Sequence, residues 1–148
     1  YTKILGFRIS DVYPDSMMPG KMVFMRCNPD HHGVALVGGK TTDADNSELD
    51  HIAFEVATID EVLKARDHLR ANGVQIDFEG RRRAGCQVAV EFRDPDNHRL
   101  EIFWGLDQLP GDTNSRPPDE WREAFSIEDA IIDAPPGQDT TLSDPKLR

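Results

Sequence analysis

Two stretches of the chain, 50–56 and 98–104, alternate between apolar and polar residues. Because successive side chains of a strand point to opposite faces, this period of two predicts two strands that each bury one face. The apolar faces contain Ile52, Phe54 and Val56 in the first strand and Leu100, Ile102 and Trp104 in the second. The reverse faces carry His51 and Glu101, which the pattern places in equivalent strand contexts.

A helix is predicted after the first of these strands. Thr58 and Glu61 have the spacing of a capping box, in which each side chain accepts a hydrogen bond from the other residue's backbone. The apolar stripe that follows consists of Val62, Leu63, Ala65 and Leu69. Gly73 suits the left-handed position that ends a helix. Three further extended segments are predicted at 74–78, 87–92 and 99–104, so the order is strand, helix, then three strands.

The first 40 residues resemble the later part of the same unit. Residues 1–9 parallel residues 68–76, each having a helix end, a glycine and then a strand, and extended segments follow at 22–27 and 32–37. An internal repeat of this length predicts a duplicated supersecondary unit. By that alignment, the first copy lacks its opening strand and most of its helix, about 20 residues.

Residues 106–148 differ in character, with recurrent proline and glycine and one short helical candidate at 126–132. Trp121 and Phe125 are predicted to anchor this C-terminal arm on the body, because a bare tail rarely carries such large apolar groups. The alternative is a partly disordered tail.

Size and charge limit the possible functions. The chain has 148 residues, enough for one domain with its own core, and a formal net charge of -10, which argues against a nucleic-acid partner. No apolar run approaches the roughly 18 residues of a membrane span, and no signal peptide is visible. Cys27 and Cys86 have no CxxC spacing and are interpreted as reduced residues near the core. A bacterial cytosol, and so a cytoplasmic location, is expected.

His51 and Glu101 are candidate metal ligands. An imidazole and a carboxylate are two thirds of the 2-His-1-carboxylate site that holds non-haem iron. The second histidine is expected on an earlier strand, which the chain does not contain. The plainer alternatives are a structural histidine, and a carboxylate paired with Arg99.

Three stretches resemble the vicinal oxygen chelate superfamily, which includes glyoxalases, bleomycin-resistance proteins and dioxygenases. They are residues 1–7, residues 26–36 (RCNPDHHGVAL) and residues 93–102 (RDPDNHRLEI). Within the superfamily, the second stretch is more specific to the type I extradiol ring-cleaving dioxygenases. The arm is also similar to the C-terminal arm of some such enzymes. The resemblance covers residues 1–105.

The resemblance implies that His51 and Glu101 hold Fe(II), or occasionally Mn(II), and that His32 acts as acid and base. It implies cleavage of a catechol-type aromatic next to its paired hydroxyls, with both atoms of O2 inserted. His31 and His32 are adjacent, so on a strand they face opposite sides and only one can enter the cavity; His32 is chosen from the family pattern.

Two positions depart from the family pattern. Arg82 stands where a histidine usually contacts the substrate, and Glu91 stands where a tyrosine usually contacts a reaction intermediate. Both are candidate substrate-binding residues, and Arg82 supplies a cationic donor. The cluster formed by Arg81, Arg82 and Arg83 is expected at the surface, where it attracts an anionic substrate. These departures leave the substrate class and activity open.

The predicted fold class is α+β. Two βαβββ modules, 1–40 and 50–105, form one domain as an open curved barrel around a metal cavity, and the arm 106–148 packs on it. The missing strand leaves a sheet edge that we expect the arm, or a neighbouring subunit of a homo-oligomer, to cover.

Three functions follow. The first is an extradiol dioxygenase, whole or N-terminally truncated, with weak or absent metal because the third protein ligand is missing. The second is a non-catalytic module of the same superfamily that binds a small aromatic or a drug. The third, a glyoxalase-like isomerase with Zn or Ni, needs a further glutamate or glutamine ligand near the start of a strand, and none is evident.

Overall fold

The computed structural model describes residues 1–42, 49–83 and 85–147. The chain divides into two compact units, Tyr1–Asp43 and Ala44–Arg148. Each unit contains one sheet, and helices are few, so the fold class is α+β as predicted. Neither α-helix in the described part of the chain is long and apolar enough to cross a membrane.

The first unit contains a three-stranded antiparallel sheet in the order β1-β2-β3. Its strands are β1 Arg8–Tyr13, β2 Met22–Arg26 and β3 Val34–Val37. The helix end predicted before β1 is wrong: residues 3–5 form a bend, although Gly6 has the predicted positive φ of 73°. In the described residues, β3 pairs only with β2 and is therefore an edge strand of this sheet.

The second unit has the predicted strand, helix and three strands. Its elements are β4 Ile52–Glu55, α1 Ile59–Ala71, β5 Ile76–Arg81, β6 Val88–Arg93 and β7 Arg99–Trp104. The sheet order is β4-β7-β6-β5, with β4 parallel to β7 and the other pairs antiparallel. The first strand of the module therefore lies beside its last strand.

Helix α1 begins and ends as the sequence predicts. The Glu61 backbone N–H donates to the Thr58 hydroxyl at 3.3 Å, and the Glu61 carboxylate accepts from the Thr58 N–H at 3.1 Å. Gly73 has a φ of 71° just after the helix. The buried apolar residues of α1 pack on the sheet face that carries the predicted apolar positions. The opposite face of the sheet carries Glu91 and Glu101 together with apolar residues such as Phe78.

The C-terminal arm is fastened to β5. Arg81 and Ala124 exchange backbone hydrogen bonds, and a Cβ on Gly80 would collide with the Ala124 carbonyl. The arm contains the predicted helix as α2, Ile127–Ile132, capped by the Ser126 hydroxyl, and two 3-10 helices at Pro118–Glu120 and Pro145–Leu147. The described arm contacts therefore cover the β5 edge of the second sheet.

Three details of the sequence interpretation are wrong, and they concern Phe125, Arg81 and Cys27. Phe125 is not a buried anchor, because 73% of it is exposed; Ala124, Ile127 and Ala130 are the buried contacts of the arm. Trp121 is half-buried, and its indole N–H donates to the Arg116 carbonyl within the arm. Arg81 is fully buried rather than at the surface. Cys86 is buried as expected, whereas Cys27 is exposed.

Candidate functional site

His51 and Glu101 lie side by side on the second sheet. In the parallel pairing of β4 with β7, Ala53 is opposite Glu101, and His51 lies two residues before Ala53 on the same face. The His51 Nε2 atom is 3.4 Å from Glu101 Oε2. The alternation of the sequence therefore placed the two side chains correctly on one face, and parallel pairing brings them together.

Glu101 is held in a buried position. Only 3% of the residue is exposed, and burial raises the pKa of its carboxyl above the ordinary value. The Gln87 side-chain amide donates to Glu101 Oε1 at 3.3 Å, which leaves Oε2 directed to His51. Gln87 Oε1 is itself buried and has no hydrogen-bond partner among the described residues. Sequence reasoning missed Gln87, since nothing in the motif marks it.

Asp50 orients His51. The His51 Nδ1 atom is 2.7 Å from Asp50 Oδ2, and the Arg99 guanidinium donates to Asp50 Oδ1 at 3.0 Å. The hydrogen bond with His51 lowers the pKa of the Asp50 carboxyl, with Arg99 adding to the effect. A carboxylate on one ring nitrogen fixes the tautomer, so that the other nitrogen is free to act as a ligand.

Replacing Asp50 by asparagine is expected to weaken the binding of a divalent ion at His51 by about tenfold, because the imidazole loses the acceptor that sets its tautomer and basicity. Isothermal titration with Mn(II) measures this change. Asp77→Asn is the matched control, because Asp77 is paired with Arg93 on another part of the unit. Equal affinities in the native and Asp50→Asn proteins would contradict the orienting role.

The donor set of the pair fits a divalent metal that accepts nitrogen and oxygen ligands. Two adjacent ligands of one ion, with bonds of about 2.1 Å at right angles, lie roughly 3 Å apart, close to the observed separation of Nε2 and Oε2. In residues 1–42, 49–83 and 85–147, no group of three His, Cys, Asp or Glu side chains is placed to hold a metal. The pair would supply two protein ligands to such an ion.

Arg82 and Glu91 form a bidentate ion pair on the same sheet face. Arg82 Nε and Nη2 donate to the two Glu91 oxygens, each at 2.8 Å. Glu91 is opposite Glu101 in the pairing of β6 with β7, and Phe78 is opposite Glu91 in the pairing with β5. Arg82 and Glu91, the two residues that depart from the family pattern, thus form a single ion pair.

His32 lies in the first unit, in the loop between β2 and β3. The expectation that His31 and His32 face opposite sides of a strand is wrong, because β3 begins only at Val34. Both rings contact the Phe24 ring, with centroids 5.9 and 5.0 Å away, and their Nδ1 atoms are 3.0 Å apart. The loop replaces the strand because the turn at residues 28–30 is closed by Asn28 and Asp30.

A cavity of about 730 Å³ is present elsewhere in the second unit, where β4 and β7 end and the arm begins. Arg116 lies in its wall, where Asp107, Glu120 and the Pro136 carbonyl accept its hydrogen bonds. His51 and Glu101 do not line this cavity. His51 and Glu101, called the ligand pair below, therefore lie outside this cavity.

A βαβββ module that places a histidine beside a buried carboxylate on one sheet face has donors that suit a protein binding a divalent metal or a small molecule. The model of the Glyoxalase/Bleomycin resistance protein/Dioxygenase superfamily matches residues 1–102. The chain belongs to this superfamily, as the resemblance predicted.

Curated relatives include two enzymes named biphenyl-2,3-diol 1,2-dioxygenase. The one from Paraburkholderia xenovorans (strain LB400) is 31% identical over 107 residues, which cover 70% of this chain and 35% of the relative. The one from Pseudomonas sp. (strain KKS102) is 31% identical over 108 residues, with 71% and 35% covered. The chain spans about a third of the length of these relatives.

Solved structures share the fold. A fosfomycin resistance protein, FosX, from Listeria monocytogenes, complexed with Mn(II) and sulfate, aligns with a TM-score of 0.54 and 22% identity, covering 70% of this chain and 74% of that one. A lactoylglutathione lyase from Agrobacterium tumefaciens aligns with a TM-score of 0.52 and 21% identity, covering 71% and 80%. The same fold thus occurs in proteins of different names.

Proposed function

We propose that this chain is an extradiol ring-cleaving dioxygenase, or part of one, that acts on a catechol-type aromatic with O2 at a non-haem Fe(II) centre. The single observation that carries the proposal is the pairing of His51 Nε2 with buried Glu101 Oε2 on one sheet face. The relatives named as biphenyl-2,3-diol 1,2-dioxygenases support the choice of reaction. Mn(II) is the alternative metal.

In the proposed mechanism, His51 and Glu101 would hold the metal. When bound, a divalent metal would supply the Lewis acidity that favours an ionised phenol and the redox activity that the reaction of O2 requires. Asp50 keeps His51 in the tautomer that presents Nε2, and Gln87 keeps one oxygen of Glu101 occupied. His32 of the first unit is proposed to take a phenolic proton and return it later, since an imidazole can both accept and donate a proton.

Oxygen uptake tests the reaction. The chain is incubated anaerobically with Fe(II), then given O2 with biphenyl-2,3-diol or catechol, and both oxygen consumption and the ring-opened product are measured. We expect uptake that depends on added Fe(II) and that falls at least 100-fold in His51→Ala, because one protein ligand is lost. His68→Ala is the matched control, because His68 lies on α1. Uptake that is equal in both variants would contradict the proposal.

A second candidate function is a non-catalytic module that binds a small aromatic or a drug. Two observations favour it: the described residues supply two metal-binding side chains rather than three, and Arg82 and Glu91 stand in place of the histidine and tyrosine of the family pattern. Binding of catechol without oxygen consumption, at saturating Fe(II), would identify this function instead. We also propose a homo-oligomer, in which a second copy covers the β3 edge.

A further inference from the structure

The Arg82 guanidinium is held rigidly on two sides. Glu91 accepts from Nε and Nη2, and the Arg82 Cζ atom lies 3.6 Å from the centroid of the Phe78 ring. Glu91 is buried, whereas 41% of the Arg82 side chain is exposed. A guanidinium fixed in this way loses little further conformational entropy when it binds a ligand.

One edge of this guanidinium remains available. The bonds to Glu91 use the Nε–H and one N–H of Nη2, and among the described residues Nη1 has no partner. The remaining N–H of Nη2 and one N–H of Nη1 are parallel, which is the arrangement that binds a carboxylate through both of its oxygens. The exposed edge therefore matches a planar anion.

The position of Arg82 relates this edge to the ligand pair. Phe78, Glu91 and Glu101 are successive partners across β5, β6 and β7, so all three lie in one row on the same face. Phe78 and Glu101 are two strand spacings apart, about 10 Å, a span comparable with one substituted aromatic ring. Phe125 meets Phe78 edge-on at 6.3 Å and adds exposed aromatic surface beside Phe78.

We propose that Arg82, held by Glu91 and Phe78, is a specificity-determining residue that binds the carboxylate of an aromatic acid. This inference rests on the proposed function, since it names the class of catechol that the site takes: one that carries a carboxylate on the ring or on a short side chain. Glu91 then serves as the residue that positions Arg82. An ion pair needed only for stability would not require the open edge and the adjacent aromatic surface.

The test compares sodium benzoate with its neutral isostere benzamide, by NMR titration of the metal-free chain. We expect the native protein to bind benzoate about tenfold more tightly than benzamide. Arg82→Lys keeps a cation beside Glu91 but removes the two parallel N–H donors of the guanidinium. The double variant Arg82→Gln/Glu91→Gln removes both charges, so that neither is left unpaired. The double variant is expected to bind the two ligands equally, and Arg82→Lys to prefer benzoate less strongly than the native protein does. Arg83→Gln, which alters an exposed arginine paired with Glu123, is expected to keep the preference.

Equal binding of benzoate and benzamide by the native protein, or no binding of either at millimolar concentration, would overturn the proposal. A benzoate preference as large as that of the native protein in both Arg82 variants would overturn it as well. The readout needs no metal and no turnover. If the benzoate preference is present but Fe(II)-dependent oxygen uptake is absent, the proposed reaction fails while the carboxylate site stands.

Discussion

Arg81→Met is expected to lower the free energy of unfolding of the second unit by about 3–5 kcal/mol and to release the C-terminal arm. The Arg81 side chain is fully buried, and it donates to three backbone carbonyls and one side-chain oxygen. These acceptors are the carbonyls of Cys86, Ala130 and Asp133 and the Oε1 atom of Gln138. Methionine fills a similar volume but donates no hydrogen bond, so buried carbonyls lose their partner.

Urea unfolding measures this loss, and limited proteolysis reports on the arm. The control is Arg83→Met, two positions later, because the Arg83 side chain is exposed and its ion pair with Glu123 is worth under about 1 kcal/mol. We expect early cleavage of the arm in Arg81→Met only. Similar unfolding midpoints for the two variants would show that Arg81 does not hold the arm.

Glu101→Gln is expected to weaken the binding of Mn(II) or Fe(II) at least about 100-fold, because a neutral amide replaces the anionic ligand while its shape is kept. Titration calorimetry with Mn(II) measures the loss. Glu91→Gln is the matched control: it is the cross-strand neighbour of Glu101, but Arg82 occupies its carboxylate. If Glu91→Gln weakened Mn(II) binding and Glu101→Gln did not, the ion would not be bound at Glu101.

The same substitution is expected to change the pH dependence of stability in the metal-free chain. Burial raises the pKa of the Glu101 carboxyl, so the folded state binds its proton more tightly than the unfolded state does. Stability contributed by this group is therefore present at low pH and is lost as the pH rises from the ordinary glutamate pKa to the raised value. Glu101→Gln removes this decline, so its stability relative to the native chain should increase across that interval. If the difference in the free energy of unfolding between Glu101→Gln and the native chain stayed constant across this pH interval, Glu101 would not be a buried group that ionises there.

The second module was the part of the fold that sequence patterns predicted well. The strand at residues 99–104 has the predicted bounds, and α1 has its predicted capping box and glycine end. These features depend on local rules, namely alternation, capping and left-handed glycine, which act within one element. The shared face of His51 and Glu101 follows from the same alternation.

Features that depend on distant contacts were missed. Arg81 sits in a charged run that is typical of a surface, but the arm brings three acceptors to it from residues at least 49 positions later, and the nearby Cys86 carbonyl is the fourth. Gln87 has no local signal, since its role follows from the pairing of β6 with β7. His31 and His32 lie in a loop, and both of their rings contact Phe24 of β2, a contact that the local pattern does not predict. The positions of these side chains therefore depend on contacts between residues that are far apart in the sequence.

The placement of β4 has a consequence for how the site forms. β4 is a four-residue strand at the border of its sheet, hydrogen-bonded to a single neighbour that follows it by about fifty positions along the chain. His51 precedes this strand, and Glu101 belongs to the neighbour. The ligand pair therefore forms only when β4 pairs with β7, the most distant pairing in the module. Separation of the short strand β4 from the sheet is enough to move His51 away from Glu101. An ion shared by the two side chains would bind only the docked strand, so docking and occupancy would be a single linked equilibrium.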